Sequence, residues 1–184
     1  VEFFNKVGIW GKSFVVTKSG KRTEDAKFFT IRFDEFLDDE VTFETSQFYD
    51  FFSSTRGLVA VFEEPSVKAP LTENRFVGFK TIVFDDDFIC QKVKPVWDCI
   101  RSLIREHTLR DVPQIGADGQ QKRNKNGELS FAPNFPKASD GDVFVRGTGR
   151  NSKDKRETVN GIRMYRQQVW IRGNSMAELV RNGF

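Results

Sequence analysis

Apolar and polar side chains alternate over several short stretches of the chain. In residues 26–33, Phe29, Ile31 and Phe33 alternate with polar neighbours, which is the two-residue period of a half-buried β-strand. Residues 8–16 are rich in aromatic and β-branched side chains and end in a polar turn that contains a glycine. The two runs therefore predict a long β-hairpin. Its tip would carry three basic residues, Lys18, Lys21 and Arg22.

Four more apolar runs predict strands, at residues 58–62, 76–84, 142–146 and 161–172. The last run is the longest, and its side chains alternate between two faces over its whole length. A strand at the edge of a sheet presents a row of unpaired backbone groups to solvent. The edge of this last strand would therefore offer a route to a homodimer.

One main helix interrupts the strands. Pro95 suits a first helical turn, because that turn needs no backbone N–H donor at its start. The apolar residues that follow recur at helical spacing and fall on one face. They are Val96, Trp97, Ile100, Leu103 and Ile104. The pattern predicts a helix over about residues 95–108.

The fold class follows from the order of these elements. Residues 114–141 are rich in glycine, proline and polar side chains, which predicts a long irregular loop. Too few residues follow that loop to build a second core, so we expect a single domain over residues 1–184. The order of strands, one main helix, a long loop and two last strands predicts a β-rich α+β fold, arranged as an OB-like Greek-key barrel.

Phenylalanine dominates the apolar residues of the chain. There are 20 Phe against two Tyr and three Trp, and 16 of the Phe lie within residues 1–88. Aromatic rings bury large apolar areas, so most of these side chains are expected in the core. A few aromatic residues are instead candidates for stacking with nucleobases. These candidates are Trp10, Phe28, Tyr165 and Trp170.

Positive charge is concentrated in the C-terminal third. The formal net charge is only +3, but residues 120–184 hold 13 Lys and Arg against six Asp and Glu. A basic segment on a nearly neutral chain indicates an anionic partner, although a solvated basic face would give the same count. The loop 147–156, between the last two predicted strands, contributes four of these cations.

In its layout the chain resembles the OB-fold single-stranded DNA-binding proteins of tailed phages. The resemblance lies in the helix 95–108, the polar loop after it, and the segment 140–146 with its basic continuation. It implies sequence-independent binding of single-stranded DNA, in preference to RNA, during replication or recombination. It also implies a viral protein that acts in the cytoplasm of an infected host cell.

Binding proteins of this kind use a basic groove for phosphates and aromatic faces for bases. Arginine is suited to both tasks, because its planar head contacts phosphate in a bidentate manner and also stacks. Tyr165 is the strongest candidate for stacking, since it lies between Arg163 and Arg166. The resemblance implies the following nucleic-acid-binding residues: Lys18, Lys21, Arg22, Arg146, Arg150, Lys153, Lys155, Arg156, Arg163, Tyr165, Arg166 and Trp10.

Enzymatic functions find less support in the sequence. His107 is the only histidine, and the chain has no metal-ligand spacing, nucleophile elbow or phosphate-binding glycine motif. We therefore expect no catalytic residue, metal ion or cofactor. The acidic runs 38–40 and 85–87 leave a metal-dependent nuclease as one alternative. A viral capsid or nucleocapsid subunit is another, because its basic segments would neutralise packaged nucleic acid.

The sequence also predicts where the protein acts. No apolar run approaches the roughly 20 residues of a membrane span, so no membrane partner is expected. The N-terminal residues do not follow the pattern of a signal peptide. Cys90 and Cys99 are the only cysteines and cannot form a disulfide framework. We therefore expect a reducing, cytoplasmic location.

Overall fold

The computed structural model describes residues 9–21, 24–66, 69–116, 118–124, 126–151 and 153–182. Its strands are β1 (Ile9–Thr17), β2 (Ala26–Thr30), β3 (Arg56–Glu64), β4 (Arg75–Ile82), β5 (Asp111–Pro113), β6 (Phe131–Pro133), β7 (Val143–Thr148), β8 (Glu157–Val159), β9 (Ile162–Met164) and β10 (Arg166–Ile171). Its helices are α1 (Asp34–Leu37), α2 (Gln47–Ser54), α3 (Asp86–Phe88), α4 (Lys94–Arg105) and α5 (Gly173–Asn182). A π-helical turn, Ile89–Val93, joins α3 to α4. The β-rich α+β class is therefore confirmed.

Two three-stranded sheets form the body of the molecule. The first has the order β1-β3-β4, and the second has the order β2-β10-β7. In the first sheet β1 runs parallel to β3, and their register extends from Ile9 opposite Arg56 to Thr17 opposite Glu64. All pairs in the second sheet are antiparallel. The sheets remain separate, and the described strands do not close into a barrel.

The predicted hairpin between the first two strands is wrong. β1 pairs with β3, whereas β2 pairs with β10 in the other sheet. The alternation of apolar side chains does indicate burial correctly, because Phe14 of β1 and Ala26 of β2 are both buried. Alternation shows which face of a strand is buried, but it does not identify the neighbouring strand.

The predicted last strand is divided at Tyr165. β9 pairs with β8 in a separate hairpin, and only β10 joins the second sheet. Asn160 and Gly161 connect β8 to β9 with φ angles of 49° and 78°, which are the angles of a two-residue hairpin turn. β10 lies in the middle of its sheet, so the free edge predicted for the last strand is also wrong.

The main helix is confirmed, since α4 spans Lys94–Arg105 and buries Val96, Trp97, Ile100 and Ile104. The other four described helices, α1, α2, α3 and α5, are not predicted from the sequence. Ser46 caps α2 by accepting a hydrogen bond from the backbone N–H of Tyr49. Within the described ranges, every helix is too short or too polar to cross a lipid bilayer.

Phenylalanine fills the core, as predicted. Rings from α2, from β2 and from the segment after β4 meet between the two sheets, and the ring centroids of Phe52 and Phe84 lie 4.9 Å apart. Phe28 lies edge-on to Phe84 at 5.9 Å. The fully buried members of this core include Phe14, Phe36, Phe48 and Phe52. Edge-to-face contacts at these distances are favourable for aromatic pairs.

We call residues 111–133 the arm, and within the segment predicted as an irregular loop the described residues form one short strand, β6, and isolated bridges. β5 and β6 pair at its base, and isolated bridges join Ile115 to Gln121 and Arg123 to Leu129 beyond them. Asn134 fixes the base, because its Oδ1 accepts from the backbone N–H of Arg110 at 2.9 Å. Several polar side chains of the arm accept hydrogen bonds from backbone N–H groups of their own turns. Apolar residues do not alternate along this segment, so its sequence gives no strand signal.

Candidate nucleic-acid interface

A cleft of about 410 Å³ opens between the arm and the second sheet, where β7 and β10 approach β9. The arm provides one wall, β7 and β10 provide the floor, and Lys137 to Ser139 also line the cleft. Four basic residues line it, namely Lys122, Lys137, Arg146 and Lys155. None of the described residues that line it is an aspartate or a glutamate. The described lining therefore carries a net positive formal charge, which favours an anionic ligand.

Two aromatic residues border the cleft. Phe131 lies on the arm wall with 45% of its surface exposed. Tyr165 lies opposite, in the break between β9 and β10. The Lys155 ammonium is 5.8 Å from the centre of the Tyr165 ring, within range of a cation–π interaction. The cleft thus combines positive charge with aromatic faces.

Two glycines, at the end of β7 and just after it, leave room for Tyr165. A Cβ atom on Gly149 would be 2.4 Å from Cδ1 of Tyr165, and one on Gly147 would be 3.1 Å from the tyrosine Cβ. The separation at Gly149 is too short for a side chain unless the tyrosine ring moves, whereas at Gly147 a shift of a few tenths of an ångström by the tyrosine would relieve the contact. The glycines that the sequence shows in this loop therefore serve to position the tyrosine ring.

A second cavity of about 550 Å³ continues beyond Tyr165, which lines both spaces together with Gly147. Its other walls are Asn124 and Asn126 of the arm and the segment from Thr148 to Asn151. A third cavity of about 240 Å³ follows, between Arg150, Arg156 and Arg166. The three cavities form one basic path along β7 and the loop after it.

Some of the positive charge on this path is neutralised. Arg146 lies between the rings of Phe144 and Trp170 at 4.9 Å from each, and it pairs with Asp25 at 2.8 Å. Arg156 pairs with Asp154 at 2.7 Å. The backbone N–H of Arg150 and the charge of Arg156 hold the pKa of Asp154 below its usual value. Among the described residues, Lys122 and Lys155 have no carboxylate within ion-pair distance, whereas Lys137 interacts with the charge of Asp140.

The structure brings together most of the residues predicted from the sequence. Arg146, Lys155 and Tyr165 line the first cavity, and Arg150, Arg156 and Arg166 line the others. Arg163 donates to the backbone carbonyl of Lys155 at 2.8 Å, and therefore supports this loop. Lys153 is exposed in the same loop.

Other predicted residues lie apart from the cleft. Lys18 and Lys21 are in the turn after β1, which belongs to the first sheet. Arg22 lies outside the described residues. The Trp10 ring stacks on Phe28 with centroids 4.7 Å apart, and both are packed against the core. These two rings therefore contribute to the core packing, while the nucleic-acid-binding roles of Trp10 and of the turn lysines stay predictions.

Sequence reasoning misses several residues of the cleft. Lys122 and Phe131 lie in the arm, where the sequence predicts an irregular loop, and Lys137 lies just after it. Gln167 forms part of the floor, although its sequence position indicates only a strand. The sequence does contain one signal for the break near Tyr165. Asn160-Gly161 strongly favours a tight hairpin turn, and such a hairpin pairs β9 with β8 instead of with the strands next to β10.

The acidic runs have structural partners. Asp85 caps α3 by accepting from the backbone N–H of Phe88 at 2.7 Å, and Asp39 pairs with Arg105. Among the residues with a described position, no group of three or more His, Cys, Asp or Glu side chains is arranged to hold a metal ion.

No protein-family model matches this chain, and no curated protein has a significantly similar sequence. The functional assignment therefore depends on the geometry and charge of the cleft itself.

Proposed function

We propose that the protein binds single-stranded nucleic acid in the cleft and its two neighbouring cavities, with DNA preferred to RNA. One observation carries the proposal: the cleft is lined by basic side chains without any carboxylate among its described lining residues, and it is bordered by aromatic rings. Phosphates would contact the lysines, and bases would stack on Tyr165 and Phe131. Each stacked base contributes about 1–3 kcal/mol in proteins of this type.

The shape of the site supports a single strand rather than a duplex. Tyr165 is half-buried between two cavities, so a base must leave its stack to reach the ring. A base inside a duplex has both faces covered, and its removal costs a few kcal/mol. A role in replication or recombination of a viral genome belongs to this proposal, and it rests on the order of elements in the sequence and not on the sheet topology.

Fluorescence anisotropy with a labelled oligonucleotide of about 30 nucleotides tests the proposal. Single-stranded and duplex DNA and RNA are compared at two salt concentrations. We expect the tightest binding to single-stranded DNA, and a strong decrease in affinity as salt increases, because bound phosphates release counterions. Absence of binding to every oligonucleotide at low salt would overturn the proposal. Self-assembly without nucleic acid would then favour a capsid subunit.

The lysines of the cleft provide the mutational test. Replacing both Lys122 and Lys155 by alanine should weaken binding and reduce the slope of log affinity against log salt by about 0.7 for each phosphate that is no longer neutralised. Lys94→Ala is the matched control, since Lys94 pairs with Asp98 on α4 and does not line the cleft. An equal effect of the control variant would show that general charge, and not the cleft, drives binding.

A further inference from the structure

Gln167 lies on the floor of the cleft with only 3% of its surface exposed. It faces Gly147 across the pairing of β10 with β7. A Cβ atom on Gly147 would be 2.7 Å from Nε2 of Gln167. Because glycine leaves that space empty, the amide of Gln167 lies close against β7 at the bottom of the cleft.

The orientation of this amide follows from its one hydrogen bond. Nε2 donates to the backbone carbonyl of Tyr165 at 2.8 Å, and a carbonyl accepts only, so the nitrogen must be on this side. No donor within the described residues bonds Oε1. Because Gln167 lines the cleft and its nitrogen is already bonded, Oε1 is the group of this side chain that can accept a hydrogen bond from a ligand.

A backbone donor lies beside this acceptor. β7 is an edge strand of its sheet, and the N–H of Val145 donates to Pro136 on the side away from β10 at 2.8 Å. Alternate residues of a strand direct their backbone groups to the same side. Gly147, two residues later, therefore directs its N–H and C=O towards that side, where it lines the cleft.

We propose that the cleft holds one unstacked base of the bound strand, and that Oε1 of Gln167 accepts a hydrogen bond from a ring N–H of that base. Thymine, uracil and guanine carry a ring N–H next to a carbonyl, whereas adenine and cytosine do not. The carbonyl would face the Gly147 N–H and the positive walls of the cleft. This inference rests on the proposed function and adds a base preference to it.

The test compares a short thymidine oligonucleotide with the same oligonucleotide methylated at N3 of every thymine. Methylation removes the ring N–H but keeps the carbonyls and the aromatic face. We expect about 5-fold weaker binding of the methylated strand to the unmodified protein, which is the effect of one ordinary hydrogen bond. Equal affinities for the two strands would overturn the inference and leave the proposed function standing.

Variants then assign the effect to Gln167. Gln167→Met retains the length of the side chain but has no acceptor, so it should bind both strands with equal, reduced affinity. Gln168→Met is the matched control. Gln168 is the next residue of β10, it accepts from the Thr148 hydroxyl at 2.7 Å, and it does not line the cleft.

The outcomes separate the two proposals. A methylation effect that persists in Gln167→Met would be steric and would overturn the assignment of Gln167. A methylation effect that disappears equally in both variants would indicate a general change in β10 and would overturn it as well. If the unmethylated strand does not bind the unmodified protein at all, then the proposed function has failed, and not only the base preference.

Discussion

The position of one aromatic ring depends on two residues that have no side chain. Tyr165 lies against β7 because Gly147 and Gly149 leave the space free. The ring separates two cavities, and its orientation therefore determines the shape of both. Single residues of this kind are more informative about function than the buried phenylalanines, which contribute to packing throughout the core.

Gly149→Ala tests this positioning. The new methyl group would overlap Cδ1 of Tyr165, so the ring must move away from β7. We expect altered NMR signals of the Tyr165 ring and weaker binding of single strands, by up to the roughly 1–3 kcal/mol of a stacked base. Gly11→Ala is the control, because a Cβ atom there would meet nothing within 4 Å. An undisturbed tyrosine signal in Gly149→Ala would contradict the positioning role.

At the scale of elements, the arm is the part of the fold that creates the cleft. Three backbone hydrogen bonds of 2.7 to 2.9 Å connect Gln114, Lys122 and Ser130 in a closed cycle. These bonds order a segment with few apolar residues. The same cycle places Lys122 at the wall of the cleft, opposite the loop that carries Lys155.

Shortening the arm should separate binding from folding. The N–H of Gln114 donates to the carbonyl of Ser130 at 2.9 Å, so residues 115–129 can be replaced by Asn-Gly, which forms a two-residue hairpin turn. We expect little change in Tm, because the buried core lies elsewhere. Affinity for single strands should fall, since the wall that carries Lys122 is removed. Unchanged affinity would show that the arm takes no part in binding.

At the scale of the whole molecule, Asp142 joins parts of the chain that are distant in sequence. Its carboxylate accepts from the Ser175 hydroxyl of α5 at 2.6 Å and pairs with Lys92 of the π-helical turn at 3.1 Å. The Ser175 hydrogen bond is the main cause that lowers the pKa of Asp142, and Lys92 adds to it. The second sheet, α5 and the main helical segment are thus linked at one side chain.

This linkage predicts a pH dependence of stability. The folded state favours the ionised form of Asp142, so its contribution is complete above the ordinary aspartate pKa of about 3.9 and disappears as the pH falls through the lowered pKa. Asp142→Asn should therefore be less stable than the unmodified protein at pH 7, by a margin that narrows in acid. Urea unfolding of both proteins, at pH 7 and in acid, measures this difference in the free energy of unfolding. Asp98→Asn removes an exposed pair and should have a smaller effect.

The sequence by itself determined the local features of this protein. Alternation identified β2, the apolar face of α4 was visible in its spacing, and the abundance of phenylalanine indicated an aromatic core. The local density of Arg and Lys identified the loop after β7 as a basic segment. Each of these signals depends on neighbouring residues, because burial and charge impose a period or a composition on a short segment.

Only the tertiary structure decided which segments meet. Distant parts of the chain are joined by the parallel pairing of β1 with β3, by the pairing at the base of the arm, and by the cleft that Lys122 and Tyr165 both line. A strand carries the same alternation whichever neighbour it has, and the polar residues of the arm are ordered by backbone hydrogen bonds that leave no apolar period. The cleft therefore exists only after the chain has folded, since its walls come from segments that no local pattern connects.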